Sequence, residues 1–231
     1  MTAAIAERLK HVQDRIRAAA AACGRDAGSV RLVAVTKTFG PDAVRAAVAA
    51  GATDIGENYI QEAREKFNAL GSLPVRRHFI GHLQSNKAGH AVALFDVIHT
   101  VDSVKLGREL DRCARRAGKR QAVLVQVNVA GESSKSGVAP EEALPLVRAL
   151  AALEHLAVTG LMTLPPFFND PERVRPFFAA LRQLRDRIRA ESPSGAGLWE
   201  LSMGMTGDFE AAIAEGATLV RIGTAIFGER P

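Results

Sequence analysis

Short apolar runs that suit buried strands alternate with helix-forming segments along almost the whole chain, and this alternation most constrains the fold. The run at residues 32–37, LVAVTK, is typical, because its apolar and β-branched residues suit a strand covered on both faces. Eight such runs are predicted strands, at residues 32–37, 53–58, 77–81, 97–101, 122–129, 157–162, 200–204 and 219–223. Helical patterns separate them, at residues 41–50, 60–70, 85–94, 103–117, 140–153, 171–190 and 207–215.

This alternation predicts right-handed β-α units around a parallel sheet, either open and doubly wound or closed into a barrel. Eight units within 231 residues favour the barrel, since that fold commonly takes about 250 residues or slightly fewer. The doubly wound alternative is weakened because no G-x-G-x-x-G follows the first strand. We therefore predict one α/β domain over residues 1–231, a single (β/α)8 TIM barrel. An extra N-terminal amphipathic helix, within residues 1–24, is expected to pack on it.

The composition argues against several classes of protein. The formal net charge of +5 comes from 30 basic and 25 acidic residues that are interspersed, which suits a soluble surface better than a nucleic-acid stripe. The two cysteines, Cys23 and Cys113, lie far apart, which argues against a disulfide framework and for a reducing compartment. The N-terminal segment carries charges throughout, so it is neither a signal peptide nor a membrane span. We expect a cytoplasmic protein that binds neither nucleic acid nor membrane.

Active groups of a (β/α)8 barrel lie at the C-terminal ends of the strands and in the loops that follow them. The first predicted strand ends in Lys37, which is either a solvated strand end or a reactive amine. After the last two strands, the sequences SMGMTG and RIGT bring small residues to the same rim, where phosphate sites of such barrels often form. A strand-end lysine beside a phosphate site predicts a phosphorylated carbonyl compound held as a Schiff base. Lys135, in the loop at residues 131–137, is the second candidate lysine.

Six segments together resemble a known family: AVTK, IGENYIQEA, HFIGHLQSNK, VNVAGESSKSG, GLMTLP and LSMGMTGDFEAAIAEGATLVRIGTAIFG. They resemble the pyridoxal phosphate homeostasis protein family, and the resemblance extends over residues 31–228. It implies a barrel similar to the N-terminal domain of alanine racemase, with pyridoxal 5'-phosphate (PLP) bound as an internal aldimine on Lys37. It also implies that Arg221 faces the pyridine nitrogen. The other implied contacts are Ser202, Gly223 and Thr224 at the phosphate, and Asn58 and Met203 along the ring.

The implied role is that of a carrier. An arginine stays protonated, so Arg221 would leave the pyridine nitrogen unprotonated and weaken the ring as an electron sink. A racemase also needs a second acid/base group, and the one tyrosine of the chain, Tyr59, is in no obvious place to supply it. We expect a monomeric, non-enzymatic PLP-binding protein of vitamin B6 homeostasis, with apo forms of PLP enzymes as acceptors. A PLP-dependent racemase or lyase, and a barrel aldolase or isomerase acting on a sugar phosphate, stay open as alternatives.

The sequence departs from the pattern of the family at three places, two single residues and one pair. Phe39 stands where a second lysine is common, and His82 stands where a proline is common. Thr206 and Gly207 replace a Ser-Asp pair, which preserves a hydroxyl but changes the local charge.

Overall fold

The computed structural model describes residues 2–132, 135–166, 168–195 and 197–229. Eight parallel strands pair in sequence order, and the first pairs with the last, so the sheet closes into a barrel. The strands are β1 (Arg31–Val35), β2 (Asp54–Glu57), β3 (Arg76–Phe79), β4 (Val97–Val101), β5 (Gln121–Gln126), β6 (Leu156–Met162), β7 (Glu200–Ser202) and β8 (Leu219–Ile222). The predicted TIM barrel is confirmed.

Helices follow the strands and form the outer layer. They are α1 (Thr2–Ala22), α2 (Pro41–Ala49), α3 (Ile60–Leu70), α4 (Ala88–Leu94), α5 (Val104–Arg116), α6 (Pro140–Ala151), α7 (Arg175–Glu191), α8 (Phe209–Ala214) and α9 (Thr224–Phe227). Short 3-10 turns lie at Ala27–Ser29, Ser85–Lys87, Pro171–Arg173 and Pro193–Gly195. Within the described ranges, none of these helices is long and apolar enough to cross a membrane.

Helix α1 is the extra N-terminal helix that the sequence predicts. Its buried residues recur every three or four positions, which places them on one face. That face packs against α2, α8 and α9, where β1 closes against β8. The buried residues are Ile5, Leu9, Val12, Ile16 and Ala20.

Alternate residues of the strands serve two different apolar layers, as the period of a strand requires. On β8, Val220 and Ile222 belong to the large core between sheet and helices, whereas Leu219 points into the barrel. The apolar cluster inside the barrel is small and consists of Val33, Val97, Leu124, Met162 and Leu219. Much of the remaining interior is therefore left to polar side chains.

Six of the eight predicted strands end one to three residues earlier than expected, as β5 and β7 illustrate. Strand β5 ends at Gln126, and Val127 continues only as an isolated bridge to Val138. Strand β7 ends at Ser202, because Gly204 takes a φ of 92° and turns the chain toward α8. Both differences lengthen loops at the C-terminal rim of the barrel, where chemistry is expected.

Candidate functional site

A cavity of about 320 Å³ opens at the C-terminal ends of the strands, and we refer to it as the Lys37 cavity. Five of the seven residues that the sequence predicts for the site line it: Lys37, Asn58, Arg221, Gly223 and Thr224. The remaining lining residues are Val35, Ile80, Leu164, Phe168, Met205, Thr206, Gly207 and Asp208. Strands and loops that are far apart in the sequence thus converge on one small space.

Lys37 lies in a tight turn two residues after β1 ends. The preceding residue, Thr36, is fully buried, and Lys37 itself is half-buried. The following residue, Thr38, has a φ of 69°, which is uncommon for a residue other than glycine. Its backbone N–H donates a 2.5 Å hydrogen bond to the carboxylate of Glu62 on α3. A side chain of a neighbouring helix therefore fixes the turn that presents Lys37.

A buried ion pair supports the same turn from behind. The ammonium of Lys66 lies 2.5 Å from Glu57 Oε1 and donates a 2.7 Å hydrogen bond to the carbonyl of Thr36. The hydroxyl of Thr36 donates to the same Glu57 oxygen at 2.6 Å. Burial raises the pKa of Glu57, although the charge of Lys66 opposes this shift. Removing one partner of such a pair leaves an uncompensated buried charge, so the cluster holds the backbone before Lys37 firmly.

Arg221, on strand β8 next to β1, brings a buried cation to the cavity. Its Nη1 donates a 2.6 Å hydrogen bond to Ser202 Oγ, and its Nη2 donates a 2.9 Å bond to the carbonyl of Thr163. Burial lowers the pKa of Arg221 to about 10, and Asp208 partly offsets this effect. The guanidinium is therefore still charged at neutral pH, and its orientation is fixed by two acceptors.

Asn58 occupies the rim just after β2. A Cβ on Gly81 would lie 2.0 Å from the carbonyl oxygen of Asn58, so this approach of two loops requires glycine at that position. The side-chain Oδ1 of Asn58 is buried and has no hydrogen-bond partner among the described residues. A buried amide oxygen without a partner is costly, which marks this point as suited to a polar group of a ligand.

The turns after β7 and β8 complete the cavity. In the first turn, Asp208 Oδ1 accepts a 2.6 Å hydrogen bond from the backbone N–H of Met205, which holds Thr206 and Gly207 at the cavity. In the second, a Cβ on Gly223 would lie 3.2 Å from the carbonyl oxygen of Val35, so the two strand ends lie close together. Small residues in both turns leave backbone N–H groups accessible to an anion.

Two residues predicted for the site do not line the Lys37 cavity. Ser202 is fully buried, and its hydroxyl contacts Arg221 and the ring of His99. Met203 is also fully buried and belongs to the core between sheet and helices. The hydroxyl that the β7–α8 turn brings to the cavity is that of Thr206. Ser202 thus contacts the candidate site through Arg221.

A larger cavity of about 580 Å³ lies beside the Lys37 cavity and shares Asn58 with it. Its lining comes from the segments after β2 and β3 and includes Tyr59, Arg64, His82 and Lys87. Among the described residues that line it, none comes from the ends of β1, β7 or β8. Because the lysine, the guanidinium and the small-residue turns converge on the smaller cavity, that cavity is the candidate site.

The second candidate lysine and two of the departures from the family pattern lie elsewhere. Lys135 forms an ion pair with Glu132, and part of its loop, residues 133 and 134, lies outside the described residues. The ring of Phe39 stacks on Phe227 with centroids 5.1 Å apart. Nδ1 of His82 lies 3.2 Å from Ser136 Oγ. None of these three residues lines the Lys37 cavity.

Comparisons with known proteins agree with the geometry. The sequence profile of the alanine racemase N-terminal domain matches residues 8–231. A pyridoxal phosphate homeostasis protein of Pseudomonas aeruginosa is 47% identical over 227 residues, which cover 98% of this chain and 96% of that protein. A protein of the same name from Aquifex aeolicus is 43% identical over 224 residues, or 97% of each chain. The chain belongs to the pyridoxal phosphate homeostasis protein family.

A solved structure in this family extends the comparison to the fold. PipY of Synechococcus elongatus, solved with PLP bound, matches with a TM-score of 0.85 and 36% sequence identity. The match covers 97% of this chain and 100% of PipY. The pyridoxal phosphate homeostasis family assignment therefore rests on the whole barrel, including the strands whose ends form the Lys37 cavity.

Sequence reasoning missed the buried polar residues that support the site. Lys66 lies on a predicted helix, and its one signal is Glu62 four residues earlier. His78 and His99 lie within predicted strands, and their signal is a polar residue inside an otherwise apolar run. All three side chains are buried, and each is hydrogen-bonded to residues of other elements.

Proposed function

We propose that this chain binds PLP in the Lys37 cavity, holds it as a Schiff base on Lys37 and serves intracellular PLP homeostasis without robust turnover. One observation carries the proposal. A strand-end lysine, a fixed guanidinium and two small-residue turns meet in one cavity, in a family whose member PipY was solved with PLP bound. Each of these groups matches a different part of PLP: the aldehyde, the ring nitrogen and the phosphate.

The residues present fit the cofactor. The volume of about 320 Å³ lies within the range of about 300–1,000 Å³ that is usual for small-molecule sites. Gly223, Thr224 and Thr206 would hold the phosphate, and Arg221 would face the ring nitrogen. Asn58 Oδ1, which has no partner in the described part of the chain, would receive a polar group on the ring edge.

The chemistry asked of the chain is limited to binding. PLP supplies an electrophilic aldehyde, and the neutral amine of Lys37 forms a C=N bond with it as one water molecule leaves. The turn fixed by Glu62, and by Lys66 with its buried partners, keeps the Lys37 backbone in place. The reverse reaction, with water or another amine, frees the cofactor again.

The surroundings of the cavity favour a carrier over an enzyme. The guanidinium of Arg221 stays charged at neutral pH, which disfavours protonation of a pyridine nitrogen beside it. Tyr59 lines the neighbouring cavity instead of the Lys37 cavity. A racemase needs a second acid/base group opposite the lysine. Among the described lining residues, the one carboxylate is Asp208, which already accepts the backbone N–H of Met205.

The proposal includes the setting in which the carrier works. We propose that residues 1–231 form one domain that acts as a monomer in the cytoplasm and delivers PLP to apo forms of PLP enzymes. A half-buried lysine supports reversible delivery, since an acceptor amine needs access to the cofactor carbon.

The experiment is a titration of the purified protein with PLP, followed by visible absorbance. Wild type should become yellow, and Lys37→Ala should lose the band because no other lysine lines the cavity among the described residues. Lys135→Ala removes the second candidate lysine and should retain the band. Because free PLP is itself yellow, unbound PLP is removed by dialysis before each spectrum, and a wild-type protein that is then colourless would contradict the proposal.

A turnover assay separates the carrier from the enzyme alternatives. Exchange of the α-proton of amino acids by the loaded protein should not exceed that of free PLP. Exchange well above that level, abolished by Lys37→Ala, would favour a racemase or lyase.

A further inference from the structure

Five buried polar side chains form one continuous hydrogen-bonded chain through the barrel interior. His78 Nε2 lies 2.8 Å from Asp54 Oδ1, and His78 Nδ1 lies 2.8 Å from His99 Nε2. His99 Nδ1 lies 2.9 Å from Ser202 Oγ, which accepts the 2.6 Å bond from Arg221. We call it the Asp54–Arg221 chain. It runs from β2 through β3, β4 and β7 to β8, and no member is more than 4% exposed.

The protons of the Asp54–Arg221 chain can be assigned from its two ends. An ionised Asp54 only accepts, so His78 must donate from Nε2 and accept at Nδ1. His99 must then donate from Nε2 and accept at Nδ1, so the hydroxyl of Ser202 donates to His99. The oxygen of Ser202 is left with its lone pairs toward Arg221, which only donates. With Asp54 ionised, this is the one assignment that gives every bond one proton and keeps both rings neutral.

The electrostatics of the interior agree with this assignment. Burial raises the pKa of Asp54, but hydrogen bonds from His78 and Thr53, together with electrostatic attraction to His78 and Arg31, outweigh it, so its pKa lies below the usual value. Burial lowers the pKa of both histidines, and that of His99 lies well below the usual value. The charged groups that act on the two rings are Asp54, Arg31, Arg76 and Arg221. The carboxylate is thus charged and both imidazoles are neutral near pH 7.

We propose that Asp54, His78 and His99 are positioning residues that act through Ser202 to fix the guanidinium of Arg221. In this arrangement the Asp54 carboxylate sets the direction of every hydrogen bond in the Asp54–Arg221 chain. None of the three lines the Lys37 cavity. The consequence for PLP rests on the proposed function, because it holds only if PLP binds in the Lys37 cavity. If Arg221 faces the ring nitrogen, the environment of that nitrogen depends on a carboxylate that does not touch the cofactor.

The first test uses the protein without PLP. Nitrogen-15 spectra of histidine-labelled protein distinguish neutral Nε2–H, neutral Nδ1–H and charged rings. His78 and His99 should both be neutral Nε2–H tautomers from about pH 6 to about pH 8. A charged ring or an Nδ1–H form at His99 in the wild type would overturn the proposal.

A variant tests whether Asp54 determines the direction of hydrogen bonds that it does not itself make. Asp54→Asn replaces an obligatory acceptor by an amide that also donates, so both tautomers of His78 become possible. His99, which does not contact Asp54, should then show a share of the Nδ1–H form. Asp96→Asn changes an exposed carboxylate outside the chain and should leave His99 as in the wild type. If Asp54→Asn also leaves the tautomer of His99 unchanged, the Asp54 carboxylate does not set the direction of the hydrogen bonds.

The second test uses the loaded protein. Ser202→Ala removes one of the two acceptors of Arg221 and should weaken PLP binding by roughly threefold to tenfold and shift the absorption maximum of bound PLP. Ser202→Thr keeps the hydroxyl and should restore both readouts. An unchanged absorption maximum in Ser202→Ala would contradict the link to the cofactor. If the wild type binds no PLP, the proposed function fails. The nitrogen-15 spectra of the protein without PLP still test the proton positions in the Asp54–Arg221 chain.

Discussion

Lys37 owes its position to residues that do not line the cavity. Glu62 holds the backbone of Thr38, and the buried pair of Lys66 and Glu57 holds that of Thr36. The sequence predicts Lys37 because an apolar strand ends in it, which is a local pattern. It does not predict Lys66, because burial of a helical lysine depends on which helix face meets the neighbouring turn. Local patterns thus indicate the candidate lysine, and tertiary packing supplies its support.

Ser202 and Thr206 show a second limit at the scale of single residues. Ser202 ends β7 and Thr206 lies in the turn after it, and the family resemblance implies a phosphate contact at Ser202. The structure brings Thr206 to the cavity and leaves Ser202 buried beneath Arg221. Three residues separate them, and the turn at Gly204 between them decides which hydroxyl faces the cavity. That turn geometry has no signature in the sequence beyond a glycine.

Thr224→Val tests the phosphate contact. The substitution keeps the shape of the side chain and removes a hydroxyl at the cavity. Loss of a hydrogen bond to a charged group costs about 1.5–3 kcal/mol, so the affinity for PLP should fall by roughly tenfold to a hundredfold. Pyridoxal, which lacks the phosphate, is the matched control ligand. If Thr224→Val weakens the binding of pyridoxal as much as that of PLP, Thr224 is not a phosphate contact.

At the scale of elements, the strands were predictable because each is a short run with flanking turn signals. All eight predicted strands are present, and their starts agree within one residue. The ends at the C-terminal rim agree less well, as β5 and β7 show. Apolar residues continue past the last paired residue there, because the rim loops also contribute to the core. Strand ends at a functional rim are thus harder to predict than strand starts.

The turn between β7 and α8 is the element on which the cavity most depends, and Gly204→Ala tests it. Gly204 has a φ of 92°, and an added Cβ would lie 2.6 Å from the Cβ of Ala212. We expect a loss of about 2–5 kcal/mol in the free energy of unfolding, from strain and overpacking together, and weaker PLP binding. Urea denaturation and PLP titration measure the two effects.

Gly118 supplies the matched control for that substitution. It has a φ of 64°, but an added Cβ would meet nothing within 4 Å. Gly118→Ala should therefore cost only the backbone strain, about 1–2 kcal/mol, and leave PLP affinity unchanged. Equal losses in the two variants would show that the packing of Gly204 against α8 is unimportant.

At the scale of the whole molecule, closure of the barrel was predictable and its interior was not. Eight β-α units within the length of the chain favour a closed sheet. Which polar side chains meet in the interior depends on the register of the eight strands, because the register decides which residues lie in the same layer. Asp54, His78 and His99 become neighbours only when β2, β3 and β4 pair as they do. That register cannot be deduced from a single sequence.

Stability should fall as the pH is lowered from about 7.5 to about 5.5. Burial lowers the pKa of His78 and His99, so below about pH 6.5 the unfolded chain binds protons that the folded chain does not. The expected loss is about 1–3 kcal/mol of the free energy of unfolding over this range. Glu57, whose pKa is raised, acts in the opposite direction, since folding favours its protonated form. Urea denaturation at several pH values measures the slope.

Two variants test whether the buried histidines of the barrel interior cause this dependence of stability on pH. His99→Gln removes one buried ring and should reduce the slope by up to about half. The exposed His90 serves as the control, and His90→Gln should leave the slope as it is, since water solvates that ring in both states. A wild-type stability that does not change between about pH 7.5 and about pH 5.5 would contradict the account of neutral buried rings.

Borohydride reduction of the PLP-loaded protein tests whether Lys37 holds PLP covalently. Reduction converts the C=N bond into a stable C–N bond, so the pyridoxyl group can be located by mass spectrometry of peptides. We expect one modified peptide, with the added mass on Lys37, and none from the Lys37→Ala variant. A pyridoxyl group on Lys135, on several lysines alike or on no lysine at all would contradict this expectation.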